Sequence, residues 1–405
     1  MQLAAMQQAL AEREAKALRR STRALGAVAG RLLQVNGRQY LNFSGNDYLG
    51  LASEPKVQQA LCDAISQYGV GSTGSPLVTG FHAPHQALSA ELCEWLGVER
   101  VLLFSSGFAA NQSMLECLAS AGDQLLLDKL CHASLISAAQ QHPSQAKWPL
   151  RRFAHNDLSS LQQLLQKTTA ASHQLVVTEG VFSMDGDSPD LSAMLALCQQ
   201  HQAALLLDDA HGLGVLGPEG RGSAAAQGVA ASELFCTMAN FGKALGASGA
   251  FLAGSQPVMD YLEQFAKHYI YSTALPPALC AAVHCAIRLV RTEQWRRDKL
   301  QSNIRLFRQL AQHADLPVLL PTTGRDKLTD RVTESTEHSA IQLVMLGEAS
   351  RALALSQALQ QQGVWLTAIR PPTVPPNSAR LRITLSASHQ PDDIRFLINS
   401  LRQYF

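Results

Sequence analysis

Ala204-Leu205-Leu206-Leu207-Asp208-Asp209-Ala210-His211 is the stretch that decides the fold. Four apolar residues run directly into two carboxylates and a histidine. A strand exposed on one face alternates apolar and polar residues, whereas a strand covered on both faces is apolar throughout. The run therefore predicts a strand inside a sheet covered by helices, with polar groups at its C-terminal end. The pattern recurs in VLLF from Val101, LLLD from Leu125, LVVT from Leu175, LFCTM from Leu234 and GAFLAG from Gly249, with helical stretches between them. Alternating strands and helices predict an α/β fold built on a mostly parallel sheet.

Outward from this region, Leu3 to Leu25 reads as an amphipathic helix, with Leu3, Met6, Leu10 and Leu18 near helical spacing. RLLQV and QYLNF flank Asn36-Gly37, a hairpin signal because both turn residues tolerate positive φ. A helical region runs from about Pro277 through Gln312. The C-terminal part, with AIQLVML from Ala340, a helix ending before Gly363, VWLTAI, RLRITL and a last helix to Tyr404, reads as a smaller α+β unit. The expected units are residues 1–46 (helix and hairpin), 47–290 (large domain) and 291–405 (small domain). The polar stretch 321–339 is expected to be a connecting loop.

Composition narrows the function classes. The 405 residues carry 33 Lys+Arg against 32 Asp+Glu, a net charge of +1, and 16% are charged. A chain this apolar and this balanced is neither disordered nor a polyanion binder, so no nucleic acid is expected. No stretch approaches the roughly 20 apolar residues of a membrane helix. The N-terminal residues lack a signal-peptide core, and the eight cysteines are scattered without a CxxC. These features lead to the expectation of a reduced, cytoplasmic protein with no membrane partner.

Four segments carry candidate chemistry. Gly212, Gly214 and Gly217 spell a GxGxxG, but Pro218 follows where a dinucleotide site needs a helix to open, so a dehydrogenase is disfavoured. Asp208 to His211 sits at the strand end where open parallel sheets bind ligands. A single histidine with two adjacent carboxylates makes an incomplete metal shell, and no metal is expected. Lys243, within Asn240-Phe241-Gly242-Lys243-Ala244-Leu245-Gly246, is flanked by small and apolar residues, which favours a confined amine with nucleophilic character. Ser105-Ser106-Gly107-Phe108 follows a strand and opens a helix, whose free N–H groups and dipole suit a phosphate. Each is ambiguous alone. Together they are the parts that pyridoxal phosphate requires: a lysine for the aldehyde, an acid for the ring nitrogen and a cradle for the phosphate. His155, His82 and His85 are read as packing or surface histidines, and Arg151 and Arg152 as solvated.

These residues resemble the α-oxoamine synthase family of fold-type-I pyridoxal phosphate enzymes. The likeness runs from Arg19 to Arg382 through NFSGNDYLGL, SSGFAANQ, CHASL, VVTEGVFSMDGD, LLLDDAHGLGVLG, NFGKALGASG and YSTALPP. It implies a seven-stranded-type large domain with a smaller α+β domain, and a homodimer whose active sites are shared. It further implies that Lys243 is the Schiff-base lysine and proton shuttle, that Asp208 meets the ring nitrogen, and that His211 and Ser183 approach the ring hydroxyl. By the same resemblance His132 stacks on the ring, Gly107 and Phe108 hold the phosphate, and Ser272 and Thr273 reach the partner subunit's phosphate. Arg382 would anchor the amino-acid carboxylate, while Arg19, Arg370 and Thr373 would line the acyl path. Thr367 to Pro375 and Arg151 to Asp157 resemble the biotin-pathway branch, which implies L-alanine and a pimeloyl thioester of CoA or acyl-carrier protein. The alternatives are a relative using glycine with another acyl-CoA, and a non-catalytic scaffold, against which Lys243 speaks. Two departures stand out. Asn240 occupies the place where the family often has a phosphate-binding Thr, and Ser75-Pro76-Leu77 differs where relatives carry a basic or small residue.

Overall fold

The structure, a computed structural model, describes residues 3–16, 18–26, 28–120, 122–141, 150–167, 173–319 and 339–405. Its strands in chain order are β1 (Val28–Ala29), β2 (Leu32–Val35), β3 (Arg38–Asn42), β4 (Arg100–Phe104), β5 (Gln124–Asp128), β6 (Arg151–Phe153), β7 (Gln174–Glu179) and β8 (Ala204–Asp208). They continue with β9 (Cys236–Asn240), β10 (Ala250–Gly254), β11 (Val318–Leu319), β12 (Ile341–Gly347), β13 (Val364–Trp365), β14 (Ala368–Ile369) and β15 (Ala379–Thr384).

The apolar runs form one seven-stranded sheet in the order β4-β10-β9-β8-β7-β5-β6. Only β10 runs against its neighbours, and the pairs β9–β8–β7–β5–β6 are parallel. Every residue of β5 and β7 is buried, as continuous apolar strands under two helical layers should be. Helices start and stop where local chemistry directs. Ser106 caps Gly107–Leu118 through Ala109 N, and Asp190 caps Leu191–Gln200 through Ala193 N. Ala83–Leu96 ends on Gly97 in the left-handed region. Trp95 is fully buried beneath this layer, its indole N–H donating to Glu219 O at 3.1 Å.

Two smaller sheets complete the chain, β1-β2-β3-β13 and β11-β12-β15-β14. VWLTAI is divided between them: β13 runs parallel to β3, and β14 pairs antiparallel with β15. The crossover lies at Leu366–Thr367, where the Thr367 amide donates to Ser44 Oγ at 2.9 Å. The helical region after Pro277 is likewise two helices, Pro277–Thr292 and Gln294–His313. Glu293 breaks it, its carboxylate accepting from Arg296 Nε and Lys56 Nζ.

The expected N-terminal helix is shorter than its periodicity suggests. It spans Leu3–Ala15 and no residue in it is buried. Without a packed face, a short helix has little to extend it. Beyond it the chain is held in non-helical form: Arg370 Nη2 donates to Arg19 O at 3.1 Å, and Arg20 Nη2 to Thr373 Oγ1 at 2.7 Å. The expected loop 321–339 lies, except for Ser339, outside the described residues. Among the described residues no helix is long and apolar enough to cross a membrane. The GxGxxG glycines close a loop: Gly214 and Gly217 have positive φ, and Gly214 N donates to Gly220 O at 2.7 Å.

Candidate active site

Strands β4, β5, β7, β8 and β9 point the same way and deliver their C-terminal loops to one edge of the sheet. Gly107 and Phe108 follow β4, His132 follows β5, Ser183 follows β7, Asp208 ends β8 with His211 just beyond it, and Asn240 ends β9 with Lys243 in the turn that follows. The edge therefore gathers residues far apart in sequence, at the place where such sheets bind ligands.

Asp208 is 4% exposed. Its Oδ1 accepts from the Ala210 amide at 3.0 Å and its Oδ2 from Asn111 Nδ2 at 2.7 Å. A carboxylate can only accept, so the Asn111 amide orientation is fixed. The same Nδ2 group donates to Ser134 Oγ at 2.9 Å. The Ser134 amide donates to His132 Nδ1 at 3.3 Å, and Ser134 Oγ lies 2.8 Å from that nitrogen. His132 Nδ1 is thus an acceptor, which puts the ring proton on Nε2. Burial lowers the His132 pKa, with Asp208 opposing and Lys243 adding to the shift. His132, Ser134, Asn111 and Asp208 form one hydrogen-bonded row. Neither Asn111 nor Ser134 was singled out in the sequence, although both lie in the segments SSGFAANQ and CHASL.

Glu179 pairs in register with Asp208 on the neighbouring strand. Burial first, and Asp208 second, push its carboxyl well above the usual range. Lys243 is half-buried beside both carboxyls. Burial lowers its amine to about 8, Asp208 and Glu179 pull against that shift, and Arg382 adds to it. At neutral pH about a tenth of such an amine is uncharged, against a few parts in ten thousand for an ordinary lysine. The expectation of a confined, nucleophilic amine has a physical basis in these surroundings.

His211 is buried with Nδ1 2.6 Å from Tyr48 Oη. Burial, followed by Lys243, Arg382 and His132, drives its pKa well below the usual histidine value, so it is neutral. Arg382, 7% exposed, donates from Nε to Ser183 O at 2.7 Å and from Nη1 to Thr384 Oγ1 at 3.0 Å. Both Nη1 and Nη2 lie 3.3 Å from Asn46 Oδ1. No Asp or Glu pairs with Arg382 among the described residues, whereas its neighbour Arg380 is paired with Asp185. A buried guanidinium with only neutral partners is a ready place for a carboxylate.

At the phosphate end, Ser106 Oγ and O accept from Ala109 N and Ala110 N. The Gly107 and Phe108 amides are the first two of the helix and have no acceptor within it. Asn240 packs here, since a Cβ on Gly107 would meet its side chain at 3.7 Å. Asn240 Oδ1 accepts from Gly242 N at 3.1 Å, which leaves Nδ2 to serve as a donor.

Other expected residues lie apart from this group. Arg19 and Arg370 meet through the Arg19 carbonyl; Arg19 itself pairs with Glu14, and Arg20 rather than Arg19 reaches Thr373. Ser272 and Thr273 lie on a surface segment tied by Ala274 N to Gly74 O at 2.9 Å. Among the described residues no hydrogen bond or ion pair joins them to Gly107, Asp208 or Lys243. His155, expected to be a packing or surface residue, is neither: it sits between Asp128 and Asp187, 2.9 and 2.8 Å from their carboxylates. Arg152 is not simply solvated, since it donates to Lys129 O. Among the described residues no cluster of His, Cys, Asp and Glu is arranged to hold a metal ion.

The family model described as aminotransferase class I and II matches residues 38–401. An 8-amino-7-oxononanoate synthase of Pectobacterium atrosepticum is 48% identical over 92% of this chain and 91% of its own. The chain belongs to the 8-amino-7-oxononanoate synthase family within aminotransferase class I and II. Among solved structures, serine palmitoyltransferase from S. paucimobilis with a bound PLP–myriocin aldimine has a TM-score of 0.89 and 27% identity, covering 100% of this chain and 98% of that one. An 8-amino-7-oxononanoate synthase from Francisella tularensis has a TM-score of 0.72 and 28% identity, covering 90% and 97%. The fold is that of the fold-type-I pyridoxal phosphate transferases. The donor set at the sheet edge fits that cofactor: a carboxylate for a ring N–H, a low-pKa amine for an aldehyde, and helix-start amides with Asn240 Nδ2 for a phosphate.

Proposed function

We propose that this chain joins L-alanine to a pimeloyl thioester, carried by CoA or by acyl-carrier protein, and releases 8-amino-7-oxononanoate, CO2 and the free thiol. The observation that carries this reading is the buried Arg382, a cation without a carboxylate partner among the described residues, on the same site as the low-pKa Lys243 amine. Pyridoxal phosphate would be held by Lys243, Asp208, His211, Ser183, His132, Asn240 and the Gly107 and Phe108 amides. When bound, it supplies an electron sink for the pair left on the amino-acid Cα.

The protein's own groups do the rest. Arg382 binds the alanine carboxylate and so sets which Cα bond faces the sink. Lys243 takes the Cα proton as a general base, which an amine near pKa 8 does at neutral pH, and later returns a proton to the product. Asp208, held in place by the Asn111 and Ala210 donors, would accept from the ring N–H. His132, its proton placed on Nε2 by the Ser134 contacts, would lie against the cofactor ring and offer that N–H to the incoming thioester. Carbon–carbon bond formation expels the thiol, and loss of the Arg382-bound carboxyl as CO2 completes the stoichiometry.

Arg19, Arg370 and Thr373, joined by Arg20, would guide the acyl chain. The working unit would be a homodimer in which Ser272 and Thr273 contact the partner's phosphate. The exposure of Val70, Val78 and Tyr271 (80%, 77% and 80%) around this segment supports an interface. Eight unpaired cysteines support a cytoplasmic location. The test is turnover of purified protein with pyridoxal phosphate, comparing L-alanine plus pimeloyl-CoA with glycine plus a short acyl-CoA. The reading expects thiol and CO2 release in equal amounts from the first pair. Faster turnover of the second pair would refute it.

A further inference from the structure

The turn after β7 is gripped from two sides. On one side, Arg382 Nε donates to Ser183 O at 2.7 Å, while Arg380 Nη1 donates to Met184 O at 3.2 Å and to Asp185 Oδ1 at 2.6 Å. On the other side, His155 Nε2 lies 2.8 Å from Asp187 Oδ2, and His155 Nδ1 lies 2.9 Å from Asp128 Oδ1. The turn closes on itself, with Phe182 N donating to Asp187 O and Gly186 N to Phe182 O.

The geometry fixes the charge of His155. A neutral imidazole has one N–H, and each ring nitrogen here faces a carboxylate that can only accept. Both nitrogens must donate, so the ring is an imidazolium. The electrostatics agree: burial lowers the His155 pKa, but hydrogen bonds to Asp128 and then Asp187 carry it up to about 10. Asp128, fully buried at the end of β5, also accepts from Leu130 N and Asn156 N, so it is a fixed post. Asn156 Nδ2 adds a second donor to Asp187 at 3.1 Å. Phe182 packs edge-on against the imidazolium ring, 4.4 Å between centroids.

We propose that His155 is a positioning residue for the amino-acid substrate: it ties Asp187 to Asp128, holds the Phe182–Asp187 turn, and through the Ser183 carbonyl aims the Arg382 guanidinium. The inference rests on the reading of Arg382 as the carboxylate anchor. It follows that His155 acts on recognition of the amino acid more than on the proton transfers at Lys243, which lies in the turn after β9.

The test measures KM for L-alanine and kcat on holoenzyme for His155→Gln, Asp187→Asn and Arg382→Lys, with cofactor occupancy determined for each. Asp187→Asn cuts only the arm that reaches the turn and leaves the His155–Asp128 pair intact, so it serves if His155→Gln does not fold. A lost charge-assisted hydrogen bond caps the effect at roughly ten- to a hundredfold. The expectation is a KM about tenfold higher in His155→Gln and Asp187→Asn, with kcat per bound cofactor within about threefold. A merely structural loss would lower the active fraction and leave KM in place, and that result overturns the proposal. Raised KM in Arg382→Lys with unchanged KM in the other two overturns the proposal alone. Unchanged KM in Arg382→Lys overturns the anchor reading and the proposal with it.

Discussion

The lowered pKa of Lys243 makes cofactor capture a pH-dependent step with a defined shape. Only the uncharged amine attacks an aldehyde, so the capture rate of cofactor-free protein follows the neutral fraction of Lys243. Burial lowers this amine from its ordinary 10.5 to about 8, and Arg382 adds to the shift while Asp208, Glu179 and Asp209 oppose it. With a midpoint of 8 the neutral fraction climbs from about 9% at pH 7 to about 91% at pH 9, a tenfold gain that then levels off. An ordinary lysine gains about a hundredfold over the same interval and is still climbing at its end. The sign is that of a depressed base: the charged form is penalised, so capture competence is already substantial at neutral pH. Stopped-flow absorbance of pyridoxal phosphate mixed with cofactor-free protein from pH 6 to 10 reads the curve. Arg382→Met removes a neighbouring cation and should move the midpoint upward. A rate still rising tenfold per pH unit at pH 9 would refute the electrostatic reasoning.

Three further outcomes follow from specific contacts. Asn111→Ala removes a donor from a buried carboxylate, a loss of about 1.5–3 kcal/mol, and should weaken cofactor binding roughly ten- to a hundredfold by equilibrium dialysis. Asn240→Ala should weaken it about three- to tenfold, whereas Asn240→Thr, which restores a hydroxyl donor, should stay within about threefold of the parent. Gly212→Ala would drive a Cβ into Asp209 Oδ1 and Ser223 Oγ, atoms that bond each other at 2.6 Å, and should cost about 1–3 kcal/mol in urea unfolding.

The sequence was most readable where hydrophobicity is continuous. β5, β7 and β8 lie within or next to the apolar runs read as strands, because burial on both faces leaves no polar position to blur the pattern. β6 carries no such signal, because it is three residues long and two of them are arginines. The N-terminal helix is shorter than its spacing suggests because spacing reports a potential face, not whether anything packs on it, and here no residue of Leu3–Ala15 is buried. The split of VWLTAI depends on two sheet edges that local sequence does not reveal. In the site, strand-end residues such as Asp208 and Lys243 could be picked out from their flanking runs. The groups that orient them could not: Asn111 meets Asp208 across 97 positions, and His155 meets Asp187 across 32. Such partners are set by topology, and a lone asparagine or histidine carries no local sign of them. The near-zero net charge also fits, because helix-start amides and single buried arginines can bind anions without a positive field over the whole molecule.

The central claim is that the Lys243 amine, at the edge shared by Asp208 and Gly107, is where the cofactor attaches. Incubation with pyridoxal phosphate, reduction with borohydride and peptide mapping by mass spectrometry test it directly. The account predicts one phosphopyridoxyl group per chain, on the peptide containing Lys243, and none on that peptide in Lys243→Ala. Stoichiometric labelling of another lysine, or no labelling of folded protein at saturating pyridoxal phosphate, would contradict it.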